Sequence, residues 1–463
     1  MGTQSITKKK LKEHFSEMVC WSVILSFLSF LSLLPTMSIS VSSSFLPSSN
    51  VVAVKILPSV ATGVRRPFHL TLLLDNSGSM DGPRINAVKR TLHLLVDAMA
   101  DEDVLSIISY SHTSTIDANG TVLSVATRPV LHGIVDAMRA DGGTNLESAF
   151  LSILGITEAP PIDAVFILTD GQVNEGIMGS AGLQRVLAGV IAPGTPIHTL
   201  GFGADHNIRL LRDIAMRSRG SYTYADADEM LPAIIGNIMG GLASEVGRNA
   251  ILTIPDGWRC LELGAVAGDT QYMVGTLIAE KEQWVVLEAG ESVPPVLEFR
   301  WTVGFEVHNI VYTIDDTIPG PVITEQMNRV RVASVFSQVT DILERGDIVH
   351  AQEVLTELGN YLDASIAKIR PFVIRLRAQV DEMLEAIQYP VRVPMLHGLD
   401  YEAGIPLAPM LSRMASNTSA LGAQRGFFTS GGGGVDDTFS SPSQSRAAHD
   451  LTLGFTQEDP SCA

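Results

Sequence analysis

Cysteine is scarce. The 463-residue chain has three, Cys20, Cys260 and Cys462, and no C-x-x-C or H-E-x-x-H. Zinc sites built on those spacings, a RING finger among them, are therefore not expected. Three such scattered residues do not make a disulfide framework either, and spacing alone leaves a single Cys260–Cys462 bridge undecided. Basic residues are also few, with 32 Lys and Arg against 50 Asp and Glu and a formal net charge of −18. Nucleic acid is not an expected partner, because binding phosphates needs clustered Lys and Arg. The Gly run in "TSGGGGVDDTFSSPSQSR" follows no strand and precedes no Lys-Ser/Thr, so it is not a phosphate loop.

What is present suits a folded protein. Hydrophobic residues make up 46% and charged residues 18%, over a length that allows two or three domains. The N-terminus has several readings. "KKKLKEHFSEM" precedes a mostly apolar run from Val19 to Leu34. A basic stretch before a short apolar one reads as a signal or anchor, with membrane contact through residues 19–34. Yet the run falls short of the roughly 20 residues of a span. It carries Ser22, Ser26, Ser29 and Ser32 at helical spacing, and Glu13 and Glu17 dilute the basic region. An amphipathic surface helix, or an extension preceding a start at Met37, fits as well. Asn119-Gly-Thr and Asn417-Thr-Ser match the glycosylation triplet, which is common by chance. A secreted or membrane-anchored location and a cytoplasmic one both stay open.

From residue 68 strands and helices alternate. "FHLTLLL", "DVLSIISYS", "DAVFILTD" and "PIHTLGFG" are buried-strand runs. Between them Ile85, Val88, Leu92, Leu95 and Met99 recur at helical spacing. This predicts a doubly wound, mostly parallel α/β sheet with helices on both faces. After about residue 248 the period becomes two, which predicts an antiparallel β domain; residues 325–388 are helical. The expected division is a signal-like or disordered extension (1–49), a strand joining the later β domain (50–60), the α/β domain (61–246), the antiparallel β domain (247–322), a helical domain (323–390) and a largely disordered tail (391–463).

Ligands of an open α/β sheet bind beyond the carboxyl ends of its strands. Asp75, Ser77 and Ser79 follow the first strand, Thr144 in "DGGTN" opens a helix, and Asp170 in "ILTDG" follows another strand. Brought together, they would offer carboxylates and hydroxyls, a donor set suited to Mg²⁺, with Mn²⁺ or Ca²⁺ as alternatives, rather than zinc or copper. Taken singly, each residue has a simpler role: Asp, Asn, Ser and Gly form turns, and Thr144 would be a helix N-cap. Three such segments in order, each at a strand end or helix start, favour the site.

These segments resemble a von Willebrand factor type A domain over about residues 68–245, most specifically in "DNSGSM", "DGGTNLESAF", "ILTDGQ" and "HTLGFGADHNIRLLRDIA". The resemblance implies a Rossmann-like fold and a metal-ion-dependent adhesion site made of Asp75, Ser77, Ser79, Thr144 and Asp170. It also implies a protein ligand whose Asp or Glu completes the metal shell. The later β and helical regions resemble, more weakly, the region that accompanies this domain in eukaryotic proteins carrying a RING or Hint module. Neither module is visible here. The alternative function is thus an intracellular scaffold or adaptor in a ubiquitin-related pathway, without its own RING and with a structural metal. An enzyme is not expected. Ser77 and Ser79 lie beside carboxylates rather than in a G-x-S-x-G elbow, and the histidines are scattered.

Overall fold

The apolar run that ends at Asp75 becomes the middle of a six-stranded sheet. In the computed structural model, which describes residues 38–388 apart from 60–65, 158, 171–172, 193, 203–205, 226–229, 263–264, 267, 291–295 and 304–305, β3 (His69–Asp75) is buried along its whole length. Its neighbours are β4 (Val104–Tyr110) and β6 (Ala164–Thr169), both parallel to it. The full order is β5-β4-β3-β6-β7-β8, with β5 (Ser114–Val122) antiparallel at one edge and β7 (Ile197–Phe202) and β8 (Tyr222–Ala225) parallel at the other.

Alternation along β3 feeds two cores. Leu70, Leu72 and Leu74 point to one face, where α1 (Pro83–Ala98) supplies Val88, Leu92 and Leu95, and α6 (Leu231–Ala243) supplies Ile234 and Ile238. Leu73 points to the other face, with Phe150 of α3 (Leu146–Ser152), Leu183 of α4 (Ser180–Val190) and Ile214 of α5 (Ile208–Arg217). Between β5 and α3 runs α2 (Arg128–Ala137), packed on α1. Burial on both faces is why these strands read as unbroken apolar runs.

Beyond α6 the chain enters β9 (Glu245–Thr253) after one capping residue, Ser244. The period-two region forms two antiparallel four-stranded sheets. One has the order β11-β9-β13-β14 and is made of Gln271–Ile278, Glu245–Thr253, Val296–Val303 and Glu306–Thr313. The other has the order β1-β2-β12-β10 and is made of Ile39–Leu46, Val51–Pro58, Gln283–Glu288 and Arg259–Cys260. β2 pairs with β12, so the α/β domain is inserted between strands of this β unit.

One boundary differs from the sequence reading. Residues 39–46 are not an extension but the strand β1, hydrogen-bonded along β2 from Ile39–Pro58 to Leu46–Val51. Four serines in "ISVSSSFL" hide it from an apolar-run reading. It forms because β2 would otherwise present an open edge beside a buried face. The side chains of β2 divide in the same way as those of β3. Val52, Val54 and Ile56 face the β11-β9-β13-β14 sheet, while Val51 and Ala53 face the helical unit.

That unit comprises α7 (Gly320–Glu344), α8 (Ile348–Ala364) and α9 (Pro371–Gln388), packed around Phe336, Leu355, Leu358, Leu376 and Val380. It rests on the β unit through a buried pair, Arg329 of α7 with Glu262. It touches the α/β domain through Ile208 of α5 and through Arg212 with Asp341 at 3.7 Å. The apolar run at 19–34 and the tail from 391 lie outside the described residues. Among the described residues no helix is long and apolar enough to cross a membrane. Cys260 is a free, buried thiol, while Cys20 and Cys462 fall outside the described residues.

Candidate metal centre

Register brings the first carboxylate into place. Leu74 of β3 is level with Leu168 of β6, so Asp75 is level with Thr169 and Asp170 lies one step further along. On the other side Asp75 is level with Tyr110 of β4. The Thr169 hydroxyl donates to Asp75 Oδ2, and the Ser77 N–H donates to Asp75 Oδ1 at 2.9 Å. The chain then turns through a short 3-10 segment, Gly78–Met80, anchored by the fully buried Met80.

This turn aims two hydroxyls at the second carboxylate. Ser77 Oγ and Ser79 Oγ are 3.1 Å apart, and Ser79 Oγ donates to Asp170 Oδ1 at 2.7 Å. Asp75, Ser77 and Asp170 are 2%, 2% and 1% exposed, so the carboxylates sit at the floor of the site. Four of the five expected residues thus form one hydrogen-bonded cluster.

The loop that carries Thr144 is joined to the cluster by main-chain bonding at Gly142. The Gly78 N–H donates to the Gly142 carbonyl at 3.0 Å, which seats the "DGGTN" loop against the turn. Thr144 is buried; its N–H donates to Asn174 Oδ1 at 2.8 Å, and its carbonyl accepts from the N–H groups of Asn174 and Glu175. It does not cap α3. Asn145 does, its side chain accepting from the Ser148 N–H at 3.1 Å, because an Asn oxygen reaches the third N–H of the helix from the N-cap position. Likewise Asn207 caps α5, accepting from Leu210, which accounts for the "HNIRLL" stretch as a helix start.

The electrostatics are unbalanced toward negative charge. Burial pushes the Asp75 carboxyl above its ordinary value, against hydrogen bonds from Ser77 and Thr169 that hold it down, and the Asp170 charge pushes it further up. The buried Tyr110 hydroxyl behind it is raised well above its usual range, first by burial and then by Asp75. Among the described residues one cation touches the pair: Arg84 Nη1 donates to Asp170 Oδ2 at 2.5 Å. Two buried carboxylates, a single cation over one of them and two adjacent hydroxyls fit a small hard divalent ion. The donors are oxygens throughout, and among the described residues no three His, Cys, Asp or Glu side chains gather into a metal cluster. The site has only two carboxylates and completes its donor set with hydroxyls.

Several neighbours escaped the sequence reading. Thr169 stands next to Asp170 in "ILTDG", and a polar residue ending an apolar strand is its signal. Arg84, in "DGPRI", carries the signal of a cation in the first turn of a helix. His112 and Glu175, paired at 2.5 Å on the rim, come from two loops far apart in sequence and left none.

Comparison with known proteins agrees with the fold. Residues 69–237 match the model of the von Willebrand factor type A domain family. An uncharacterised protein of Synechocystis sp. is 32% identical over 170 residues, covering 35% of this chain and 38% of its own. Inter-alpha-trypsin inhibitor heavy chain H3 of Homo sapiens is 25% identical over 206 residues, covering 41% of this chain and 23% of its own. The chain thus spans well under half the length of these relatives. Two solved structures share the fold across more of the chain. A von Willebrand factor type A protein from Catenulispora acidiphila has a TM-score of 0.56 at 16% identity, covering 76% of this chain and 90% of that one. The ArnB paralog VWA2 from Sulfolobus acidocaldarius has a TM-score of 0.54 at 15% identity, covering 84% of this chain and all of that one. With its parallel sheet, its flanking helices and the family match over the same residues, the stretch 69–237 is a von Willebrand factor type A domain.

Proposed function

We propose that this domain is a divalent-metal-dependent protein-binding module, and that the metal is held by Asp75, Ser77, Ser79, Thr144 and Asp170. Domains of this family mediate protein–protein interactions, often through such a metal. The observation that carries the reading here is the convergence of two buried carboxylates, Asp75 and Asp170, through the Ser77–Ser79 hydroxyl pair. Mg²⁺ suits these donors, and Mn²⁺ or Ca²⁺ would serve in the same shell. With Asp75 and Asp170 offsetting its charge and neutral hydroxyls filling part of the shell, the ion keeps a position open to an Asp or Glu of a partner. The ion supplies electrostatic attraction; the protein holds the donors rigid at the end of a buried strand.

The proposal is of binding and not of catalysis. The Ser77 and Ser79 hydroxyls bond to each other and Ser79 donates to Asp170, an arrangement that favours ion retention over activation of a nucleophile. Melting of the full chain tests the reading. Mg²⁺ or Mn²⁺ is expected to raise the transition and EDTA to reverse it, and Asp75→Ala is expected to lose the response. Identical responses of wild type and variant reject the site. Partner capture with and without EDTA then tests whether the metal carries the contact.

A second reading, a scaffold with a structural metal, is favoured by the helical unit. Val349, Ile366, Ile369 and Ile374 stand exposed on and between α8 and α9. Partner capture that survives both EDTA and Asp75→Ala, but not Ile369→Glu, would decide for it.

A further inference from the structure

Arg84 stands in the first turn of α1, at the positive end of the helix dipole, and no acidic residue accompanies it there. A cation is disfavoured at that place. Among the described residues it is held by three contacts, all of the metal centre or its wall. Its Nη1 donates to Asp170 Oδ2 at 2.5 Å and to the Ser79 carbonyl at 3.3 Å, and its Cζ lies 6.0 Å from the centre of the Phe202 ring. The Asp170 side chain is fully buried, whereas that of Arg84 is 37% exposed. The guanidinium therefore covers a buried carboxylate from the solvent side, on a long side chain that can leave without disturbing the core.

Both oxygens of Asp170 are engaged, Oδ1 by Ser79 and Oδ2 by Arg84. A divalent ion that draws on Asp170 must contend with Arg84 for that charge. Counting formal charges, Asp75, Asp170 and Arg84 sum to −1, and a divalent ion brings the total to +1. Without Arg84 the same ion would leave the centre neutral. The arginine thus makes the ion harder to hold and the loaded centre attractive to an anion.

We infer that Arg84 is a tethered cation that makes metal retention depend on an acidic ligand: it competes with the ion for Asp170, and it pairs with the ligand's carboxylate once that arrives. This rests on the metal reading above. Metal and carboxylate then bind with positive coupling, each strengthening the other. A purely structural role, in which Arg84 only neutralises buried Asp170, predicts loss of stability on its removal and the same metal–carboxylate coupling with and without it.

The test uses the full chain as wild type, Arg84→Gln and Arg84→Lys. Mn²⁺ is the metal probe, followed by its paramagnetic signal, and acetate is the carboxylate probe. Arg84→Gln is expected to lower the Mn²⁺ Kd about threefold or more, since a like charge is removed from beside the ion. Arg84→Lys keeps the charge and is expected to stay close to wild type. Acetate is expected to tighten Mn²⁺ binding in all three proteins, by direct contact with the ion, but by a clearly smaller factor in Arg84→Gln than in wild type and Arg84→Lys. An unchanged or weakened Mn²⁺ affinity in Arg84→Gln overturns the inference, and so does equal coupling in all three proteins. Failure of the metal reading looks different, since wild type itself would bind no Mn²⁺. Circular dichroism of each variant in EDTA separates loss of fold from loss of coupling.

Discussion

The N–H of Gly78 donates to the carbonyl of Gly142 at 3.0 Å, joining two loops that lie 64 residues apart in the sequence. One carries Ser77 and Ser79; the other carries Thr144. The bond needs Gly142 in the left-handed region, at φ +80°, where a Cβ would also meet the His112 ring at 2.5 Å. The geometry of the proposed metal shell is therefore set by main-chain groups that contribute no ligand.

Gly142→Ala is expected to cost about 1–2 kcal/mol of stability from the left-handed backbone alone. It should also weaken Mn²⁺ binding, because relieving the strain shifts Thr144. The exposed His112 ring can turn aside, so His112→Ala/Gly142→Ala should recover little of the loss. Urea unfolding and Mn²⁺ titration of the variants check both effects; recovery of full stability in the double variant would show that crowding, not backbone strain, dominates.

Asp75→Asn is expected to stabilise the metal-free protein at neutral pH. Burial raises the carboxyl of Asp75, so the folded state holds its proton more tightly than the unfolded chain. The sign follows: this contribution is fully present below the unfolded value and is lost as pH rises through the carboxylate range to the folded value. Asparagine stays neutral and removes that loss. A rise in melting temperature of roughly 2–4 °C in EDTA, with a flatter dependence on pH and no response to Mg²⁺, is the expected result. A lower melting temperature in EDTA at neutral pH would contradict it.

The Arg329–Glu262 pair should behave as a clamp between the helical and β units. Arg329 Nη1 and Nη2 donate to the two Glu262 oxygens at 2.9 and 2.6 Å, Nε donates to Gln326 Oε1, and both ionic side chains are wholly buried. Removing one partner leaves a buried charge, so Glu262→Leu and Arg329→Met should each cost about 3–5 kcal/mol. The double variant Glu262→Leu/Arg329→Met should cost clearly less than the sum, as neither charge is stranded. Denaturant unfolding of the four proteins measures the coupling, and additive losses would refute it.

Periodicity made much of the fold legible. "FHLTLLL" and "DAVFILTD" announce doubly covered strands because every residue is apolar, and Ile85, Val88, Leu92 and Leu95 announce the helix that covers them. The strand at 51–58 was legible by its apolar run, while its partner at 39–46 was not, because half its residues are serines and only pairing with β2 gives them a place. The Asp75, Ser77, Ser79, Thr144 and Asp170 set was readable as residue types at strand ends, since chemistry of that kind is written locally.

What the sequence determined by itself was local: which segments bury one face or two, and which short polar groups follow them. Tertiary structure decided the long-range pairings. It set Asp75 level with Thr169 by register, bound Gly78 to Gly142, and laid the Arg84 guanidinium over Asp170. Local patterns follow from the fixed periods of helix and strand. Which loop meets which depends on sheet order and register, and these are settled only when the whole chain has buried its apolar faces at once.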